Sequence, residues 1–139
     1  VMLSRYKPGM AYGTHVDNAL MCGIRTDLSF TLFLNEPETY EGGALVIEGN
    51  DGDNEIKLPA GSLVLYPTTT LHHVSEVTSG ERLAIVGWVR SYIRSHEDRE
   101  TLFDLENAIS SLRLANVDRT ILDRLLKVKA NLLRGWVED

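Results

Sequence analysis

Arg82-Leu83-Ala84-Ile85-Val86-Gly87-Trp88-Val89-Arg90 is the stretch that decides the architecture of the first two thirds of this chain. Successive side chains of a strand point to opposite faces, so Arg82, Ala84, Val86 and Trp88 share one face and Leu83, Ile85, Gly87 and Val89 the other. Between its two terminal arginines the segment is apolar on both faces, as a strand enclosed by other elements must be. Working back toward Val1, further strand-length apolar runs fall near 2–6, 14–17, 28–35, 44–48, 55–58, 62–66 and 71–75. Between them stand Asn35-Glu36-Pro37, Gly42-Gly43, Gly49-Asn50-Asp51-Gly52-Asp53, Pro59-Ala60-Gly61 and Thr78-Ser79-Gly80, all turn-forming compositions. Many short strands punctuated in this way argue for a closed or double-sheet β architecture, best fitted by a jelly roll (double-stranded β-helix), and against a parallel α/β sheet.

After Arg90 the period changes. Ser95 followed three residues later by Asp98 is a helix-capping pattern, and Leu102, Leu105, Ile109 and Leu112 recur on one face. A second helix is expected to open at Asn116 and to carry Ile121, Leu122, Leu125, Leu126, Val128, Leu132, Leu133 and Trp136. The short connection predicts an antiparallel helical hairpin. The expected organisation is a jelly-roll core over residues 1–92 and a helical hairpin over 93–139 packed on it. The hairpin's wide apolar stripe has to be covered by the barrel, by chain upstream of Val1 or by another subunit, which leaves a homo-oligomer open.

The chain has 139 residues, 43% of them hydrophobic, enough to build a core. A net charge of −6 argues against general binding to nucleic acid or anionic membranes, both of which call for a basic surface. Cys22 is the only cysteine, so no intrachain disulfide can form, and a reducing cytoplasm is the expected location. Neither a signal peptide nor a run of about eighteen apolar residues is present, so no membrane association is expected. The chain opens in strand-like alternation at Val1-Met2-Leu3-Ser4 without a start methionine, from which we expect the natural sequence to extend upstream.

The residues that carry chemistry are His15-Val16-Asp17, the His72-His73 pair and Arg82. Two imidazoles and a carboxylate on one face of Fe(II) leave the opposite positions open for a bidentate cosubstrate and for oxygen. On a strand, His15 and Asp17 would point the same way, about 6.5 Å apart at Cα, with Val16 facing away. The other imidazole must come from a distant strand, where parity admits only one of His72 and His73 and does not say which. A cosubstrate with a second carboxylate needs a fixed counter-charge, and the planar fork of Arg82 suits it. The plainer alternatives are a surface His beside a solvated Asp, and an exposed Arg82 paired with Glu81 or Glu76. His96, among Arg94, Glu97 and Asp98, reads as a surface residue near a helix start. The acidic run from Glu48 to Asp53 lacks the bidentate glutamate of a calcium loop and reads as a solvated hairpin turn. Pro67-Thr68-Thr69-Thr70 reads as the turn that aims the distal histidine. Asn18 to Asp27 reads as a lid, with Asn18, Met21 and Arg25 as candidate substrate contacts.

The segment from Arg5 to Asn18, with Tyr6, Gly9, Tyr12 and His15-x-Asp17, resembles the prolyl-hydroxylase-like branch of the iron and 2-oxoglutarate dependent oxygenases. More narrowly, the chain resembles the bacterial PKHD-type hydroxylases, through Leu28-Ser29-Phe30-Thr31-Leu32-Phe33-Leu34, Tyr40-Glu41-Gly42-Gly43, Tyr66-Pro67, Leu71-His72-His73-Val74, Gly80-Glu81-Arg82 and Asn131-Leu132-Leu133-Arg134-Gly135-Trp136. The resemblance implies Fe(II) on His15, Asp17 and His72, 2-oxoglutarate on Arg82, and a hydrogen bond to that cosubstrate from Tyr6. Its Leu-His-x-Val pattern selects His72 over His73. It further implies oxidative decarboxylation of 2-oxoglutarate to succinate and carbon dioxide, consumption of O2, hydroxylation of a small-molecule or peptide substrate that no residue here identifies, and support by L-ascorbate. Two other readings use much of the same sequence: a cupin-type metalloenzyme that does not need 2-oxoglutarate, and a non-catalytic module that binds metal or 2-oxoglutarate as a sensor.

Overall fold

The computed structural model describes residues 1–138 and divides into two compact units, Val1–Arg90 and Ser91 onward. The first unit is built from two four-stranded antiparallel sheets. One runs in the order β1 (Met2–Tyr6), β12 (Arg82–Val89), β5 (Leu28–Phe33) and β9 (Leu63–Pro67). The other runs β2 (Tyr12–His15), β10 (His72–Val74), β7 (Leu45–Gly49) and β8 (Gly52–Ile56). Two small ribbons complete it, β3 (Leu20–Met21) with β4 (Ile24–Arg25), and β6 (Tyr40–Gly42) with β11 (Val77–Gly80), the former joined by a turn at Cys22-Gly23 with both φ angles positive. This is the double-sheet β architecture expected of a jelly roll.

β12 lies between β1 and β5, with Tyr6 opposite Arg82, Ala84 opposite both Ser4 and Phe33, and Trp88 opposite Ser29. Pairing on both edges satisfies its backbone, while its faces are unequal: Arg82 and Ala84 are buried, Leu83 and Ile85 half-buried and Val89 exposed. Phe33, Leu45, Val77 and Ala84 are at most 1% exposed and form the centre of the unit. Each large apolar side chain buried to that degree contributes about 1.5–3 kcal/mol. In β5 the inward residues are Ser29, Thr31 and Phe33, all buried, while Leu28, Phe30 and Leu32 on the other face are only half-buried. An inward face carrying two hydroxyls is the reverse of an ordinary core strand, and it marks where the interior is polar.

The expected strand 14–17 is displaced: β2 ends at His15, so Asp17 lies in the following loop and not two positions along a common strand. Thr78-Ser79-Gly80, expected as a turn, belongs to β11, because β6 offers a pairing edge to it. That ribbon depends on glycine. At Gly43 (φ +63°) an added Cβ would lie 2.8 Å from Val77 Cγ2, 3.1 Å from Arg82 Cδ and 3.2 Å from Tyr40 Cε2. The Glu48–Asp53 run is the β7–β8 hairpin, with Glu48 opposite Asp53 and Gly49 opposite Gly52.

The second unit holds α1 (His96–Leu114) and α2 (Arg119–Trp136). The Ser95 hydroxyl accepts the Asp98 N–H at 3.1 Å, as the capping pattern anticipates. The second helix opens at Arg119 and not at Asn116. Asn116 takes a left-handed conformation (φ +54°) that ends the first helix, and Asp118 caps the next by accepting from Thr120 N–H at 2.8 Å. An antiparallel bridge between Ile93 and Val137, together with the Lys129–Glu106 ion pair, fixes the hairpin's antiparallel sense. Among the described residues, no helix is long and apolar enough to cross a membrane.

Candidate metal and cosubstrate site

β2 and β10 pair with His15 opposite His72, which sets the two imidazole rings 4.3 Å apart. Asp17 comes from the loop beyond β2 and stands between them. Its Oδ1 lies 3.6 Å from His15 Nε2 and its Oδ2 lies 3.7 Å from His72 Nε2. One ligand atom from each of the three residues falls within 4.8 Å of the others. His72 is the histidine in this cluster. His73 turns the other way, its Nδ1 3.5 Å from the Thr14 hydroxyl.

Both rings are oriented by the same device. His15 Nδ1 is 2.8 Å from the Gly13 carbonyl and His72 Nδ1 is 3.0 Å from the Thr70 carbonyl, each two residues upstream. A carbonyl can only accept, so Nδ1 is the donor and Nε2 is the ring atom that faces Asp17, the orientation of metal-binding imidazoles. The Thr70 carbonyl thus gives the Pro67–Thr70 turn its aiming role, and the turn closes through Thr70 N–H to Pro67 O at 3.1 Å. Tyr12 packs edge-on against His15 at 4.5 Å and Tyr66 against His72 at 4.9 Å. Burial and the Asp17 charge push the Tyr66 phenol up to about 12, so it keeps its proton. Ser29, buried on β5, donates to Asp17 Oδ2 at 2.5 Å and fixes the carboxylate's rotation.

Arg82 heads β12 and is 1% exposed. Its Nε, Nη1 and Nη2 have no hydrogen-bond partner. Glu81, the neighbour that might have paired with it, instead holds Arg5 at 2.6 Å. The guanidinium lies 5.3 Å from the Tyr6 ring and 5.7 Å from the Phe33 ring. Burial pulls its pKa below the ordinary arginine value, with Tyr40, Tyr6 and Tyr66 acting the other way, and it remains a cation. A buried charge without partners is costly, and an anion in the same cavity would relieve it.

One cavity of about 220 Å³ connects these groups. His15, Asp17, His72, Arg82 and Tyr6 line it together with Phe30, Leu45, Val86 and Trp88. Two N donors and a carboxylate suit an Fe(II) ion with open positions, and the free guanidinium suits the distal carboxylate of 2-oxoglutarate. Asn18, Met21 and Arg25 do not line this cavity, and Arg25 binds Asp27 at 2.9 Å. Their segment is a short ribbon tied at its base, where Thr26 Oγ1 donates to Asn18 O at 2.5 Å. Ser29 escaped the sequence reading although the Ser29-x-Thr31 alternation within an apolar run was its signal.

The chain belongs to the 2OG-Fe(II) oxygenase superfamily, whose family model matches residues 1–90. Residues 97–138 match the PKHD-type hydroxylase C-terminal domain. It is 60% identical over 139 residues to a PKHD-type hydroxylase of Parvibaculum lavamentivorans, covering all of this chain and 63% of that protein. With a PKHD-type hydroxylase of Maricaulis maris it shares 55% identity, covering all of this chain and 64% of that protein. The chain therefore spans a little under two thirds of the length of these relatives. Among solved structures, a Pseudomonas putida prolyl-4-hydroxylase aligns with a TM-score of 0.55 and 32% identity over 64% of this chain and 50% of that one. A viral collagen prolyl hydroxylase of Paramecium bursaria Chlorella virus-1 shares the fold, with a TM-score of 0.51 and 24% identity over 64% of this chain and 56% of that one.

Proposed function

We propose that this protein is a PKHD-type hydroxylase that couples oxidative decarboxylation of 2-oxoglutarate to hydroxylation of a substrate C–H bond, with O2 consumed and succinate and carbon dioxide released. The observation that carries this reading is the convergence of His15, Asp17 and His72 in one cavity with the unpartnered Arg82. His15 and His72 would hold the iron through Nε2 and Asp17 through its carboxylate, which Ser29 orients by donating to Oδ2. Bound Fe(II) would supply the redox chemistry that activates oxygen in the presence of the 2-oxo acid. Arg82 binds the cosubstrate's distal carboxylate and draws its 2-oxo acid end toward the histidines. Tyr6 is the candidate for a further hydrogen bond to it. The surrounding Leu45, Val86 and Trp88 side chains keep bulk water away from the reacting atoms.

The substrate class belongs to this proposal, and a prolyl acceptor or another small-molecule or peptide group is compatible with it. So does L-ascorbate as a reductant for iron oxidised in uncoupled turnovers, and so does a cytoplasmic location. The reading is tested by incubating the purified chain with Fe(II), 2-oxoglutarate and oxygen and measuring succinate by mass spectrometry. Succinate should form with the wild-type chain and fall to background with Asp17→Ala, whereas equal yields from both would refute the assignment. A cupin-type site that ignores 2-oxoglutarate would instead leave Arg82→Ala fully active.

A further inference from the structure

Each four-stranded sheet has two edge strands, and three of these four edges are guarded. β8 carries Asp53 and Glu55, β1 carries Arg5, and β9 ends in Pro67. Charges and proline on an edge deter a further strand from pairing there. The fourth edge strand, β2, reads Tyr12-Gly13-Thr14-His15 and has no fixed charge and no proline, although three of its four residues are exposed. The unguarded edge is the one that carries His15.

Hydrogen-bond alternation says which backbone groups this edge leaves open. At the two ends of β10, Glu48 N–H donates to Leu71 O at 2.9 Å and Ser75 N–H to Ala44 O at 3.0 Å, so the odd-numbered residues there face β7. His72 therefore turns its N–H and C=O to β2, where it lies opposite His15, and His15 commits both of its own backbone groups to β10. A trans peptide unit points its C=O and N–H in opposite directions, so the Thr14 C=O and the Val16 N–H face the open side. Among the described residues, neither has a backbone partner outside the ladder. The metal cluster opens toward the same side: the His15 side chain is 30% exposed and that of His72 only 6%. Tyr12 on this strand is exposed and lines the cavity as well.

We infer that β2 is the docking strand for a polypeptide substrate, which adds to the sheet in extended form as a fifth, antiparallel strand. The inference rests on the reading that His15, Asp17 and His72 hold the iron. Its position identifies the occupant, because a strand on this edge lies across the mouth of the reaction cavity, which a segment serving only the fold would close. The Thr14 C=O accepts from the N–H of one substrate residue, and the Val16 N–H donates to the C=O of the residue two positions earlier. The substrate residue between those two faces His15 in a non-hydrogen-bonded pair, with Cα atoms about 4.5 Å apart and its side chain on the His15 face. That residue is the one presented for hydroxylation. Backbone pairing supplies the docking, and the cavity selects the side chain.

The test uses random synthetic dodecapeptides and the full chain loaded with Mn(II) and 2-oxoglutarate, which allows binding without turnover. Peptides retained by the chain are remade with one backbone N–H methylated at a time, and their affinities are read by fluorescence anisotropy. One methylation should weaken binding about 5- to 100-fold, because it leaves the Thr14 carbonyl without its donor. With Fe(II) and oxygen in place of Mn(II), tandem mass spectrometry should find the added oxygen on the residue immediately before the sensitive one. Methylation at that oxidised residue should change binding by less than about twofold, since its N–H points away from β2. A chain that binds Mn(II) and 2-oxoglutarate yet retains no peptide overturns the docking strand and leaves the metal site standing, whereas a chain that binds neither overturns both. Sensitivity spread evenly along the peptide, or oxidation away from the sensitive N–H, also overturns it. So does a concentration-dependent dimer that the peptides fail to compete away, which would assign the edge to a second copy of the chain.

Discussion

The two ends of the barrel cavity are finished differently. At the histidine end the polar side chains are already engaged: each Nδ1 has a backbone carbonyl and Asp17 Oδ2 has the Ser29 hydroxyl, so what points inward is a set of lone pairs. At the arginine end the inward groups are donors, and they have no partners. Acceptors held rigid by hydrogen bonds are prepared for a cation. Donors left open in a buried site are prepared for an anion, and only a ligand carrying both a metal-chelating head and an anionic tail uses the two ends together. The contrast explains why a chain of net negative charge buries an arginine without a carboxylate beside it.

The comparison breaks most sharply if the two ends can be disabled separately. Asp17→Ala should abolish metal binding and succinate formation, while the folded barrel persists by circular dichroism. Arg82→Ala should leave Mn(II) affinity intact and weaken 2-oxoglutarate by about 2–5 kcal/mol, some 30-fold to several thousand-fold, as loss of a buried charge partner does. Ser29→Ala should reduce metal affinity about 10- to 100-fold with 2-oxoglutarate affinity changed only through the metal, and Ser29→Thr should restore it. Loss of metal affinity in Arg82→Ala, or none in Ser29→Ala, would erase the distinction between the ends.

Smaller effects sharpen it. Gly43→Ala forces a side chain into a left-handed position against Val77, Arg82 and Tyr40, and should cost about 1–3 kcal/mol in urea denaturation while also weakening 2-oxoglutarate. Arg5–Glu81, by contrast, is an exposed pair outside the cavity. The Arg5 guanidinium holds the Glu81 carboxyl below its ordinary range, so the pair's contribution is present above that range and is lost as pH falls through the lowered value. Glu81→Gln should move the melting midpoint at neutral pH by no more than about 2 °C and leave cosubstrate binding alone.

Much of the fold was legible because enclosed strands need apolar runs and turns need special residues: Arg82–Val89 and Leu28–Phe33 fall within the expected segments. The two-residue strands at Leu20–Met21 and Ile24–Arg25 are too short to show a period. Thr78-Ser79-Gly80 reads as a turn and joins a strand because Tyr40–Gly42 lies alongside. For the site, residue chemistry identified the ligand types, yet the route was partly different. Asp17 reaches the histidines from a loop, since β2 stops at His15. Strand parity could not choose between His72 and His73. The structure does so through the register of His72 against His15 and Ile47. Ser29 was quoted in the sequence without a role, because a hydroxyl's partner is fixed by contacts between segments far apart in the chain.

The most direct test of the central claim is an anaerobic titration of the Fe(II)-loaded chain with 2-oxoglutarate, followed by the visible charge-transfer absorption that a chelating 2-oxo acid gives on ferrous iron. Wild type should develop the band with one equivalent of iron, Asp17→Ala should fail to develop it, and Arg82→Ala should require far more 2-oxoglutarate. A wild-type chain that gives no band, or an Asp17→Ala chain that gives the same one, would contradict the account.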